Sequence, residues 1–256
     1  MALPEPVVLT ELNKNIFTIT LNRPDKANAF HEAMLMETLA AFKQAAREPE
    51  ARCVVLTGQG KLFSAGQDLT ELQAVEPLSF RYHLRRTYNQ IILGIRQLEK
   101  PVLAAINGTV AGAALGIALA CDLRLAAAGT RFVVGFLGIG LVPDSAVSLL
   151  LPQLIGLGRA TEAAFSNQPI SAQQALDWGL VNRLVPAAEL PAAATQTASE
   201  LASGPTQAFG LTKRAFNKAV LPNLETVLEY EAQLQEIAGR TPEHKARVAA
   251  FLEKRG

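Results

Sequence analysis

Asp144 is the acidic side chain whose setting most invites chemistry in this 256-residue chain. It follows Gly140-Leu141-Val142-Pro143 and precedes an apolar helical run, with no other charge close by in sequence. Upstream, Pro101 to Gly108 is a short apolar run broken by Asn107-Gly108, the pattern of a buried parallel strand feeding a turn. Thr109-Val110-Ala111-Gly112-Ala113-Ala114-Leu115-Gly116 follows, almost all small residues. Small side chains let another group come close to backbone N–H groups left open at a helix start. Such donors plus an isolated carboxylate can hold an enolate and move a proton. The other role open to Asp144 is to cap the following helix, and one residue can serve both.

Other chemistries find less support. His31, His83 and His244 are scattered without metal-ligand spacing and read as surface or capping residues. Cys53 and Cys121 sit in apolar context and read as buried, reduced thiols. Gly138-Ile139-Gly140 and Gly156-Leu157-Gly158 each lack the third glycine of a dinucleotide loop. Neither a Gly-x-Ser-x-Gly elbow nor a phosphate loop with its lysine is present. No metal and no separate cofactor are expected.

The residues are 49% hydrophobic and 18% charged with net charge +1, the balance of a globular chain. No basic block points to nucleic acid, and no uncharged apolar run is long enough to span a membrane. A cytoplasmic location is expected. Val7–Thr10 and Ile16–Leu21 read as a hairpin across Asn13-Lys14-Asn15. A helix is predicted over His31–Arg47, a buried strand at Cys53–Thr57, and one long helix over Ser79–Leu98. Strands follow at Val102–Ile106, Leu123–Ala127 and Phe132–Val134. From Ser145 the periodicity is helical: Ser145–Ile155, Arg159–Phe165, Ala172–Trp178, Ala188–Ser203, Thr206–Val220, Leu224–Ala238 and Pro242–Lys254. One strand, Asn182–Val185, interrupts it. The fold class is α/β, with a helical second half.

Phe63-Ser64-Ala65-Gly66-Gln67-Asp68-Leu69, Pro101 to Gly108, Cys121-Asp122 and Ala175 to Pro186 together resemble the enoyl-CoA hydratase/isomerase (crotonase) superfamily, in order over nearly the whole chain. The resemblance implies a crotonase-like fold of repeated ββα units, with residues 1–195 as the core and 196–256 as a C-terminal helical trimerisation region. It implies an acyl-CoA thioester substrate, coenzyme A being part of it, and a homotrimer or a hexamer built from two trimers. An oxyanion hole would use the N–H groups of Gln67 and Ala113, the latter following Gly112. Around the coenzyme A handle it implies Lys26, Ala27, Ala65, Asp68 and Leu69, with Lys213 reaching a phosphate in its own or a neighbouring subunit.

The acid/base positions separate the reactions that this superfamily runs. Its hydratases carry two glutamates where Gly116 and Phe136 stand here, which leaves two-carboxylate water addition unsupported. Its 4-chlorobenzoyl-CoA dehalogenases share the aspartate after the proline, but place tryptophan and histidine where Phe136 and Asn89 stand. Ser64–Leu69 and Gly140–Ser145 are similar to motifs of the ring-1,2-epoxyphenylacetyl-CoA isomerases of phenylacetate degradation, except that Ala146 replaces a glycine. The implied function is an isomerase with Asp144 as acid/base and Phe136 in an apolar wall. The alternatives are an enoyl-CoA hydratase, which is a lyase, and a non-catalytic acyl-CoA-binding subunit.

Overall fold

The structure is a computed structural model and describes residues 6–70 and 79–253. Strands β1 (Val8–Asn13) and β2 (Ile16–Leu21) form the expected hairpin, closed by Lys14 and Asn15 at positive φ. A two-residue turn of that kind matches the twist of the strands it joins. Strands β3 (Cys53–Gly58), β4 (Val102–Ile106), β6 (Leu123–Ala127) and β9 (Arg183–Val185) extend the sheet in the order β1-β2-β3-β4-β6-β9, parallel from β2 onward. A smaller sheet joins β5 (Val110–Ala111), β7 (Arg131–Val133) and β8 (Ile170–Ser171). At two residues each, β5 and β8 are too short to show a period, and neither was expected.

Both faces of the large sheet are covered, which is why its central strands are continuously apolar. Val54 and Leu56 of β3 enter the main core, with Val102, Ala104 and Ile106 of β4. Cys53, Val55, Leu103 and Ala105 face a second cluster. Helix α8 (Leu190–Ser203) covers that second face with Leu190, Ala194, Ala198 and Ala202, a stripe at four-residue spacing whose small side chains allow close approach. The expected divide at 195/196 falls inside this helix. Truncating Leu56 or Ile106, neither with any exposed surface, costs about 2–5 kcal/mol for residues of this size.

On the main face lie α1 (Glu32–Arg47), α2 (Phe80–Arg86), α3 (Tyr88–Gln97), α4 (Ala113–Ala120), α5 (Val147–Ile155), α6 (Leu157–Ser166) and α7 (Ala172–Asp177). The single helix expected over 79–98 is broken at Thr87, with φ −117° and ψ −90°. There the Thr87 N–H is shared between the His83 and Leu84 carbonyls, and its hydroxyl donates back to His83 at 2.6 Å. Such back-bonding by threonine competes with regular helix. After α8 come α9 (Thr206–Val220), α10 (Leu224–Gly239) and α11 (Pro242–Glu253). The predicted end of the last helix, at Lys254, lies outside the described residues. No helix among the described residues is long and apolar enough to cross a membrane.

Candidate active site

Two backbone segments run side by side at the C-terminal ends of β3 and β4. Ser64 bridges Val110 in parallel, and Gln67 bridges Phe30. The Phe63 and Ser64 amides donate to the Thr109 carbonyl, and the Ala111 amide donates back to Ser64 at 3.1 Å. On the other edge Phe30 N–H donates to Gly66 and Asp68 N–H to Phe30, at 2.7 and 2.8 Å. This alternation leaves the Gln67 N–H without an acceptor among the described residues. A β-carbon on Gly66, at φ +86°, would stand 2.7 Å from the Ala111 carbonyl oxygen and 3.7 Å from Gly112 Cα, so glycine is required where the segments touch.

Ala113 opens α4, and its amide likewise meets no acceptor among the described residues. Gly112 precedes it at φ 57°, ψ −132°, a conformation natural only to glycine and one with no side chain to cap the helix. The two open N–H groups therefore lie one residue beyond the Gly66–Gly112 contact, on either side of it. The Ala113 and Ala114 methyls belong to the main core. Gln67 is further held by its side chain, whose Oε1 accepts from the Tyr88 hydroxyl at 2.8 Å.

Asp144 is 5% exposed. Its Oδ1 accepts from the Ser145 hydroxyl at 2.8 Å and its Oδ2 from Gln235 Nε2 at 2.6 Å. Burial pushes its pKa up to about 6, against the pull of those two bonds. It does not cap α5: Ser145 and Ala146 both turn through positive φ, and the helix starts at Val147. The cap comes from Glu231 of α10, which accepts from the Ala146 amide at 2.8 Å and from the Ser148 amide at 3.1 Å and hydroxyl. The turn also rests on α4, because a β-carbon at Gly116 would stand 2.2 Å from the Ser145 carbonyl oxygen. Gly116 lies one turn beyond Ala113, about 4.5 Å along the helix axis. A raised carboxylate is thus docked on the helix whose first amide is open, an arrangement suited to proton transfer beside a held oxyanion.

A family model for enoyl-CoA hydratase/isomerase matches residues 11–256. The chain belongs to that family. It is 38% identical to the 1,2-epoxyphenylacetyl-CoA isomerase of Escherichia coli K12 over 97% of this chain and 96% of that one. It is 34% identical to 4-chlorobenzoyl coenzyme A dehalogenase-2 of an Arthrobacter species, over 96% of this chain and 91% of the other. Among solved structures, an enoyl-CoA hydratase from Mycobacterium avium subsp. paratuberculosis superposes with a TM-score of 0.88 at 32% identity, covering 98% of this chain and 97% of that one. The crotonase-like fold expected from the sequence is the fold found.

The remaining expected residues of this family member fall in three places. Lys26 is exposed at the end of a short turn (Pro24–Lys26), Ala27 follows at positive φ, and the Ala27 carbonyl accepts from the Ala65 amide at 3.0 Å. Asp68 and Leu69 adjoin them, half-buried. Asp68 pairs with Arg23 at 3.2 Å and caps Thr70. Burial acts to raise the Asp68 carboxyl, but the Thr70 and Arg23 bonds outweigh it and hold it below the ordinary range. Phe136 is buried in the main core at the turn that leads to Asp144. Lys213 lies elsewhere, on α9. It is buried, with Nζ 2.8 Å from Asp122 Oδ2, and that carboxylate also receives Arg96 and the Val102 amide. The ammonium answers a carboxylate fixed at the end of a core strand.

Sequence reasoning missed Arg23, Asn28, Tyr88, Glu231 and Gln235. Asn28 has no exposed surface; it accepts from the Arg23 amide and donates to the Gln59 and Leu62 carbonyls, tying the turn after β2 to the loop before Ser64. A signal existed only for Asn28, within Lys26-Ala27-Asn28 after a proline turn. Among the described residues no group of three His, Cys, Asp or Glu side chains could hold a metal ion.

Proposed function

We propose that this protein is an acyl-CoA isomerase in which Asp144 is the acid/base. The ionised Asp144 carboxylate takes a proton from the carbon α to the thioester of a 3-enoyl-CoA. The C–H electron pair moves into the C1–C2 bond, and the carbonyl oxygen becomes an enolate oxygen received by the Gln67 and Ala113 N–H groups. The proton then returns at the γ carbon, the double bond settles between Cα and Cβ, and Asp144 is ionised again. Donors aimed at such an oxygen contribute about 3–4 kcal/mol each, and a positioned acid/base about 10²–10⁴-fold in rate. Likeness to the Escherichia coli protein supports a second substrate, the ring epoxide of phenylacetyl-CoA rearranged to an oxepin thioester. The apolar side chains of Phe216, Val220, Tyr230 and Ile237, exposed on α9 and α10, support the trimer or hexamer that the resemblance implies.

The observation that carries the isomerase over the hydratase is the contact at Gly116. By the resemblance, hydration uses carboxylates at 116 and 136. Position 136 holds a buried phenylalanine, and a side chain at 116 meets the Ser145 backbone. The test follows 3-enoyl-CoA and crotonyl-CoA separately by ultraviolet absorbance, for wild type and Asp144→Asn. Conversion of 3-enoyl to conjugated 2-enoyl thioester, lost in the variant, is expected. Rapid loss of crotonyl absorbance that survives in the variant selects the hydratase, and binding of acyl-CoA without turnover of either selects a binding subunit.

A further inference from the structure

Two buried polar side chains on α10, Glu231 and Gln235, are 3% and 1% exposed and sit four residues apart, on one face of the helix. Both are aimed at the segment that carries Asp144. The Gln235 amide is oriented without ambiguity. Its Oε1 accepts from the Val142 amide at 3.2 Å, and a backbone N–H can only donate. Its Nε2 must therefore be the group 2.6 Å from Asp144 Oδ2, so that oxygen is an acceptor. Protonating Oδ2 would weaken a short bond to it, whereas Oδ1 faces the Ser145 hydroxyl, which donates to a carboxylate and can turn to accept from a carboxylic acid. Glu231 acts one step back. Ser145 and Ala146 both hold left-handed backbone, at φ 55° and 63°, a conformation costly for residues with a β-carbon. Glu231 binds the Ala146 amide just beyond that bend and the Ser148 amide in the first turn of α5.

We infer that Gln235 and Glu231 are positioning residues for the proton transfer: Gln235 directs the incoming proton to Oδ1 of Asp144, and Glu231 locks the turn that presents it. This rests on the reading of Asp144 as the base. The C-terminal helical region then contributes to the reaction within its own subunit, by setting the acid/base from behind.

The charges facing Asp144 are few. Glu231 is the titratable group on α10 directed at this turn, and α4 and α5 carry none. His244 on α11 places Nδ1 2.7 Å from the Ile139 carbonyl oxygen. The acid limb of the pH–rate profile therefore reports Gln235, which bonds the charged form of Asp144, while Glu231 is read in kcat. Gln235→Leu removes a hydrogen bond to the charged form of Asp144 and moves the limb upward by about one pH unit. Glu231→Gln leaves the limb in place, because burial raises Glu231 to about 7 and it is largely neutral where Asp144 titrates. It sets an NH2 group against an amide from which the carboxyl accepted, so its effect is read in kcat. Each is expected to lower kcat for a 3-enoyl-CoA at least about tenfold with KM held within about twofold, the pattern of a lost transition-state interaction. A role confined to folding lowers the melting temperature and the active fraction but leaves the Gln235→Leu limb where it was and kcat per active site unchanged in Glu231→Gln. A limb coincident with wild type in folded Gln235→Leu, or an unchanged kcat per active site in folded Glu231→Gln, overturns the inference. Where Gln235→Leu does not fold, the isosteric Gln235→Glu decides: it keeps an acceptor for Val142 and puts an acid against Oδ2, so an unmoved limb there overturns the inference too. Full activity of Asp144→Asn removes the base itself, a different failure, read in a different variant.

Discussion

Asp144→Asn should yield a protein that has lost its activity and gained stability. The wild-type carboxyl titrates near 6 in the folded chain because it is buried, against about 3.9 for an unfolded aspartate. Between those values the native state holds a proton that the unfolded chain has released. The Asp144 contribution to stability therefore falls as pH rises from about 4 to about 6 and is flat above, by about 2–3 kcal/mol in all. Asparagine does not titrate, and its amide satisfies the same partners: its oxygen accepts from Gln235 Nε2 and its nitrogen donates to the Ser145 hydroxyl oxygen. The variant should match wild type near pH 4 and exceed it by about 2–3 kcal/mol at pH 8, or about 5–10 °C in a chain of this size. Thermal unfolding followed by circular dichroism at both pH values, beside the rate with 3-enoyl-CoA, measures the two effects. In wild type kcat/KM should fall below about pH 6, since only the ionised form takes the proton. A melting-temperature difference that is the same at pH 4 and pH 8, or a variant less stable at pH 8, refutes the argument that Asp144 is ionised at a cost.

Ala113→Pro deletes one open N–H at a helix position that favours proline, so kcat should drop about 10²–10³-fold with stability within about 1 kcal/mol; unchanged kcat in the folded variant removes this amide from the oxyanion site. Gly116→Ala gains about 1 kcal/mol of helix propensity but must push the Ser145 carbonyl from 2.2 Å to an ordinary contact of about 3.3–3.6 Å, displacing the Asp144 turn by about 1 Å. A misplacement of that size costs about 10²-fold in kcat, and a variant within threefold of wild type shows that the turn absorbs it. Lys213→Met should lower stability by about 3 kcal/mol in a denaturant titration while leaving KM for acyl-CoA unchanged; the reverse pattern supports the phosphate role.

What the sequence made legible was local. The parallel strands showed because both faces of the sheet are buried, and Gly66, Gly112 and Asp144 showed because a close approach or an isolated charge marks its own position. Glu231 and Gln235 did not show. Glu231 meets Ala146 across 85 positions, and Gln235 meets Asp144 across 91. On a helix with Glu225, Glu229 and Glu236, two more polar residues read as part of a solvated face. The Lys213–Asp122 pair did not show either: a lysine within Leu211-Thr212-Lys213-Arg214 looks solvated until Asp122 is found beneath it. The break at Thr87 depends on one hydroxyl choosing a carbonyl, a choice that periodicity over 79–98 does not record.

Gly116 decides more than its own backbone. The first amide of α4 and the Asp144 turn are held in relation to each other by one rigid helix turn, because the Ser145 carbonyl lies against the Gly116 Cα. Sites built on helices hold geometry better than sites built between loops. That same contact fills the space from which a second carboxylate would have to project, so the two designs exclude each other on this backbone: either the aspartate turn docks on α4 or residue 116 carries an acid. Gly116→Glu should therefore lose the 3-enoyl-CoA isomerisation without gaining hydration of crotonyl-CoA, since the new carboxylate enters only by displacing the turn and brings no partner at the buried Phe136. A rise in crotonyl-CoA hydration in that single variant would mean that the turn yields readily, and that the close approach at 116 does not set the choice of reaction.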